Sequence, residues 1–213
     1  MPRFAPYQPD FHRLRKTLLL QPADRIPVME LGIDEGIMAH FLGRPVITLE
    51  DRIDFYRRAG YDYIKLSPSI DMNPAGLVPA GGFRHSEASG QDKARKWGSE
   101  GKGIISTWEA FEQFQFPRVQ DEMFLVFEQT QQLLPPGMRV IGQYGDIFTF
   151  TWEFMGFETF CFACVEDEEL VEAVFTRIGA IVYALFERMA QFEVVGGLFY
   201  SDDIAYQTGL MAA

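Results

Sequence analysis

The stretch GGLFYSDDIAYQTGLM, residues 196–211, decides the predicted fold of this chain. Its apolar segment 198–201 is typical of a buried strand, and Asp202 and Asp203 follow that segment directly. In proteins built from parallel strands and crossover helices, catalytic residues collect at the carboxyl ends of the strands. The stretch therefore indicates a parallel α/β fold, and it makes Asp202 and Asp203 the candidate catalytic residues.

Three earlier apolar segments, separated by helical stretches, extend this pattern. The predicted strands are 26–31, 61–67, 139–144 and 198–201, and the predicted helices include 11–20, 34–42, 48–59, 121–134 and 167–192. Strands that alternate with helices form βαβ units and hence a parallel sheet. Because a barrel of eight such units needs about 250 residues, we expect a partial TIM (β/α)8 barrel of about four βα units, in a single domain over residues 1–213. A half barrel has open sheet edges, which a homodimer would cover.

Local signals refine the expected helices and loops. Thr48 with Asp51, and Ser106 with Glu109, have the spacing of capping boxes at helix starts. Residues 68–104 lack periodicity and are rich in Gly, Ser and Pro, which indicates a long loop. Because loops of this length often contain some structure of their own, we expect a short hairpin around residues 93–105.

The net charge of the chain, −11, limits the classes of partner. Nucleic acids and anionic membrane surfaces repel an acidic protein, so neither is expected as the main partner. No apolar run reaches the roughly 18 residues of a membrane-spanning helix, and the first residues lack the apolar core of a signal peptide. A cytoplasmic protein that binds a small molecule is therefore expected.

The only two cysteines, Cys161 and Cys164, are too few for a disulfide framework. Their C-x-x-C spacing lies within an apolar and aromatic stretch, which favours buried structural thiols one helical turn apart over a redox pair. The histidines at 12, 40 and 85 are scattered at spacings that do not suit a metal site. We therefore expect no metal ligands within this chain.

The two aspartates have different expected roles. Neighbours on a strand point to opposite sides, so at most one of Asp202 and Asp203 faces the interior of the barrel. Two carboxylates in a site of low dielectric raise each other's pKa, which suits proton transfer. For Asp203, capping of the next turn or helix is the alternative role. Tyr206 is placed to donate a hydrogen bond into the same pocket.

Further candidate substrate-binding residues belong to the other predicted strand ends and their following loops: Glu30, Gln143, Tyr144, Asp146 and Trp152. Two interpretations of Glu30 stay open, a hydrogen bond to substrate or a buried ion pair with Lys65. Phe148 and Trp152 are suited to line a pocket for a flat apolar ligand. Core packing is the alternative for Phe148.

Four segments carry a family resemblance: RIPVMELGIDEGIM from residue 25, WGSEGKGIISTWEAFE from residue 97, GDIFTFTWEFMGFE from residue 145 and SDDIAYQTGLM from residue 201. In these segments the chain resembles the uroporphyrinogen decarboxylase superfamily, a group of (β/α)8 barrels. The superfamily includes tetrapyrrole decarboxylases and cobalamin-linked methyltransferases. The resemblance implies that this chain covers the N-terminal portion of such a barrel.

Within the superfamily, the residues present favour methyl transfer. Residues 29–34 contain no arginine for substrate carboxylates, and residues 66–69 contain no aspartate for pyrrole N–H groups. The resemblance thus implies an enzyme that acts on a small methylated compound, with a corrinoid or thiol acceptor and a corrinoid protein as partner. The zinc of that branch is bound through a His-x-Cys pair, which this chain lacks. The alternatives are uroporphyrinogen III decarboxylase and a truncated, non-catalytic fragment.

Overall fold

The computed structural model describes residues 7–72, 103–206 and 209–210, the last residues from 205 onward by their backbone alone. Eight α-helices are described: α1 (Phe11–Leu18), α2 (Glu35–Leu42), α3 (Leu49–Arg58), α4 (Trp108–Gln113), α5 (Leu125–Leu133), α6 (Ile147–Met155), α7 (Phe157–Glu166) and α8 (Glu168–Met189). A 3-10 turn, Asp121–Phe124, precedes α5. The predicted hairpin at 93–105 lies largely outside the described residues.

Three parallel strands form the main sheet: β1 (Tyr63–Leu66), β2 (Arg139–Gly145) and β3 (Val195–Ser201), in the order β1-β2-β3. Lys65 pairs with Ile141, and Gln143 pairs with Phe199. Two-residue strands, β4 (Ala205–Tyr206) and β5 (Gly209–Leu210), form a separate antiparallel pair. The mixed α/β class and three of the predicted parallel strands are therefore confirmed.

The predicted first strand is wrong, because residues 26–31 have no strand pairing. This segment is held to β1 by side-chain hydrogen bonds and not by strand pairing. The Lys65 ammonium donates to the carbonyl oxygens of Glu30 and Leu31. Pro27 also lacks the N–H that a central strand requires. Ile26 and Leu31 remain 87% and 72% exposed, so the apolar pattern here does not reflect burial.

Helix starts follow local capping chemistry. The predicted box at Thr48 and Asp51 is confirmed, since both reciprocal hydrogen bonds are present at the start of α3. The second predicted box is wrong by one residue: Thr107 rather than Ser106 caps α4, and it accepts from the backbone N–H of Ala110. Asp167 caps α8, whose first turn is acidic, as the helix dipole favours.

The long helix α8 covers one face of the sheet. Its buried residues recur at helical spacing and include Leu170, Val174, Ile178, Leu185 and Met189. Gly142 of β2 lies directly beneath α8, since a Cβ there would lie 2.8 Å from Sδ of Met189. None of the described helices is both long enough and apolar enough to cross a membrane.

Candidate functional site at the carboxyl edge of the sheet

The carboxyl ends of β2 and β3 meet closely. The backbone N–H of Asp146 donates to the carbonyl oxygen of Ser201 at 2.8 Å. A Cβ on Gly145 would lie only 1.8 Å from that same oxygen, so the approach requires glycine. Asp146 has a positive φ of 68° and turns the chain from β2 into α6. This turn places the amino end of α6 beside Asp202.

Asp202 binds the first turn of α6. Its carboxylate accepts from the backbone N–H groups of Phe148 at 2.7 Å and Thr149 at 3.1 Å, and from the Thr149 hydroxyl at 3.0 Å. These N–H groups have no partner within the helix, and an anion there also suits the helix dipole. Asp202 therefore stabilises the start of α6.

Tyr200 and Asp203 complete the contacts of this carboxylate. The Tyr200 hydroxyl donates to Asp202 at 2.6 Å, and the Asp203 backbone N–H donates to it at 3.0 Å. Burial, together with the Asp202 carboxylate, raises the pKa of Tyr200. The Asp203 side chain is exposed. Of the two adjacent aspartates, it is thus Asp202 that has the capping role considered for Asp203.

We use the term inner face for the side of the sheet that points away from α8. Since a Cβ on Gly142 would meet both Leu198 and Met189 on the α8 side, the neighbours Gln143 and Phe199 lie on the inner face. The Lys65 ammonium lies 5.5 Å from the centroid of the Phe199 ring and so shares that face. Lys65, Gln143 and Phe199 are each half-buried. Together they form a polar and aromatic surface near the strand ends.

Lys65 is held on both sides. Its ammonium donates to the carbonyls of Glu30 and Leu31, while the Phe199 ring lies over it as a cation–π partner. Burial lowers the pKa of Lys65, and the charge of Glu30 opposes that shift. An ammonium has three N–H donors, so the two carbonyls leave one donor for a ligand. Sequence reasoning named Lys65 only as a partner of Glu30, although a lysine within an apolar strand was the available signal.

Glu30 lies beside this surface, and its carboxylate forms no hydrogen bond with Lys65. The Lys65 ammonium bonds the backbone carbonyl of Glu30, and both carboxylate oxygens are buried without a hydrogen-bond partner in the described part of the chain. Burial, with the charge of Glu30 added, raises the pKa of Tyr56 to about 12 and also raises that of Tyr61. The Glu30 side chain therefore lies in a mainly aromatic environment.

The other predicted substrate-binding residues are not assigned to the inner face. Tyr144 alternates with Gln143 and lies on the α8 side, with its ring 6.4 Å from that of Phe150. Burial raises its pKa, and the charges of Asp146 and Asp71 add to the shift. Trp152 packs edge-on against Phe157 at 5.7 Å. The side chain of Tyr206 lies outside the described residues. The structure thus places Gln143 on the inner face, whereas Tyr144 packs against α6 and Trp152 packs against α7.

Phe148 contacts Phe160 at 5.6 Å and Phe175 at 6.5 Å between ring centroids. Its ring therefore packs among α6, α7 and α8, which agrees with the core-packing alternative. The prediction of buried cysteines is wrong, because Cys161 and Cys164 are both exposed on α7. Their apolar neighbours in sequence, Phe162 and Val165, are exposed as well.

A second polar cluster lies at the amino end of β1. Asp62, only 1% exposed, accepts from the guanidinium of Arg13 at 2.6 Å and from the backbone N–H of Asp10 at 2.8 Å. Arg13 also forms two hydrogen bonds with Asp24, at 2.6 and 2.9 Å. Catalytic groups of parallel α/β proteins gather at the opposite edge of the sheet, so this cluster has a structural role.

Comparison with known proteins gives no relative. No family model, no curated protein and no solved structure matches this chain. The resemblance to the uroporphyrinogen decarboxylase superfamily therefore depends on the four sequence segments alone.

Proposed function

We propose that the inner face binds a small carboxylated and methylated compound, within a partial (β/α)8 barrel of an enzyme related to the uroporphyrinogen decarboxylase superfamily. The proposed reaction is transfer of the methyl group to a corrinoid or thiol acceptor. The observation that carries this proposal is the position of the Lys65 ammonium over the Phe199 ring, close to the carboxyl ends of three parallel strands.

Each group of this surface has a distinct proposed role. The free N–H of Lys65 binds a carboxylate of the ligand in a charge-assisted hydrogen bond. Phe199 provides an aromatic wall against which a flat apolar part can pack. Gln143, paired in register with Phe199, supplies an amide donor and acceptor beside them. A flat aromatic acid that carries a methyl ether combines these features.

The charge distribution favours this ligand over a tetrapyrrole with many carboxylates. Lys65 is the one cation assigned to the inner face among the residues that the structure describes, and the whole chain carries a net charge of −11. Several carboxylates brought to one ammonium would leave most of them without a counter-charge. A ligand with one carboxylate fits better.

The described residues do not fit a zinc site. Over residues 7–72, 103–206 and 209–210, no three His, Cys, Asp or Glu side chains are grouped closely enough to hold a metal ion. Neither exposed cysteine belongs to the strand ends. We therefore assign the activation of the methyl acceptor to no residue of the described part of the chain.

Calorimetric titration of the full chain with 4-methoxybenzoate tests the proposal. We expect saturable binding that is lost with 4-methoxybenzamide, which has the same shape but no charge. Lys65→Met should weaken binding at least about 10-fold through loss of one charge-assisted hydrogen bond, whereas Lys65→Arg should retain part of it.

Two results would overturn this assignment. One is equal binding of the acid and the amide, since Lys65 would then contribute no charge recognition. The other is tighter binding of uroporphyrin III than of 4-methoxybenzoate, which would favour the decarboxylase alternative.

A further inference from the structure

Cys161 and Cys164 form a pair of exposed thiols on one side of α7. Residues three apart on a helix are neighbours on its surface, with Cβ atoms about 5–6 Å apart. The buried residues of α7 are Phe160 and Ala163, whereas both cysteines are exposed. Because the two cysteines are exposed and three residues apart, their sulfur atoms lie within reach of a single bound ion.

The two thiols have both apolar and acidic neighbours. Phe162 is 59% exposed and Val165 is 86% exposed, and each directly follows one of the cysteines in sequence. Partial burial, with the charges of Cys161 and Glu168 added, raises the pKa of Cys164, which indicates that the two thiols influence each other.

We propose that Cys161 and Cys164 bind one Cu(I) ion as a two-coordinate dithiolate. Two S–Cu bonds form, each thiol releases its proton to solvent, and no electron is transferred. Thiolates are soft ligands that select Cu(I). A structural zinc ion requires four ligands, whereas a linear Cu(I) complex requires two. In the ranges that the structure describes, no third His, Cys, Asp or Glu joins the pair, so only the two-coordinate ion has all its ligands supplied.

Competition with a chelator tests this site. The reduced full chain is titrated without oxygen into the Cu(I) complex of bathocuproine disulfonate, whose absorbance falls as the protein takes the ion. We expect one Cu(I) per chain. Cys161→Ser and Cys164→Ser should each weaken binding by at least about 100-fold, because one thiolate cannot complete the complex.

The matched control is Val165→Ser, which changes an exposed residue of the same helix and should retain one Cu(I) per chain. Alkylation of the folded wild-type chain with iodoacetamide should abolish uptake without any substitution, so the test does not depend on the folding of the variants. The proposal is overturned by a wild-type chain that leaves Cu(I) on the chelator, or by either serine variant binding as tightly as wild type.

Discussion

The carboxylate of Asp202 accepts a hydrogen bond of 2.7 Å from the backbone N–H of Phe148, a residue 54 positions earlier in the chain. This contact joins the residue after β3 to the first turn of α6. Because Thr149 and Tyr200 donate to the same carboxylate, most of its acceptor capacity is used within the protein. The relationship gives Asp202 a helix-capping role at this edge, and its predicted catalytic role stays a prediction.

Replacement of Asp202 by alanine should destabilise the fold. We expect the free energy of unfolding to fall by about 1–3 kcal/mol, because two backbone N–H groups of α6 lose their partner. Urea denaturation followed by circular dichroism measures this loss. Asp203→Ala is the matched control and should change stability by less than about 0.5 kcal/mol, since its side chain is exposed. An unchanged stability for Asp202→Ala would contradict the capping role and favour the catalytic one.

Loss of the buried Asp62 carboxylate should lower the free energy of unfolding more than loss of the Asp202 carboxylate. Asp62→Ala leaves the Arg13 guanidinium, whose side chain is 8% exposed, without one of its two carboxylates. Removing one partner of a buried pair costs about 3–5 kcal/mol. Chemical denaturation of Asp62→Ala and of Asp121→Ala gives the comparison. The Arg188–Asp121 pair lies at the surface, with side chains 29% and 84% exposed, so its loss should cost no more than about 1 kcal/mol. Similar losses in both variants would show that burial does not determine the effect.

Asp24 should contribute to the acid dependence of stability. Hydrogen bonds from the Arg13 guanidinium lower the pKa of Asp24 from 3.8 to about 2 in the folded protein. The unfolded chain therefore binds more protons between these two values, and stability falls as the pH drops through this window. Denaturation midpoints measured from pH 5 to about 2 should decline less steeply for Asp24→Asn than for wild type. Identical slopes would mean that the Arg13–Asp24 bond is not maintained in solution.

The ends of β2 and β3 lie too close together for a side chain at position 145. A Cβ there would lie 1.8 Å from the backbone oxygen of Ser201, so Gly145→Ala must displace a strand end. We expect a loss of about 3 kcal/mol or more in unfolding free energy.

Gly142→Ala is the control for this substitution. Its Cβ would approach the flexible thioether of Met189 at 2.8 Å, which can move, so the loss should be nearer about 1 kcal/mol. Thermal melts of both variants test the difference. A Gly145→Ala chain as stable as Gly142→Ala would show that the strand ends are not held this closely.

Local sequence determined the elements whose signals lie within a few residues of each other. The apolar runs of β1, β2 and β3, the period of α8, and the capping box at Thr48 and Asp51 were all predictable. Each depends on side-chain spacing or on hydrogen bonds between near neighbours, which the order of residues sets directly. The mixed α/β class follows from the alternation of these elements.

Tertiary structure decided which of those residues meet. The segment 26–31 has the composition of a strand, yet it does not pair with the sheet. Hydrogen bonds from the side chain of Lys65, about 35 residues later in the chain, hold it in place. The capping of α6 by Asp202 and the position of Lys65 over Phe199 likewise join distant parts of the chain. The exposure of Cys161 and Cys164 depends on which side of α7 packs against the core. Spacing along the chain predicts a helix or strand, but only packing in three dimensions selects the side that is buried and the partners that it contacts.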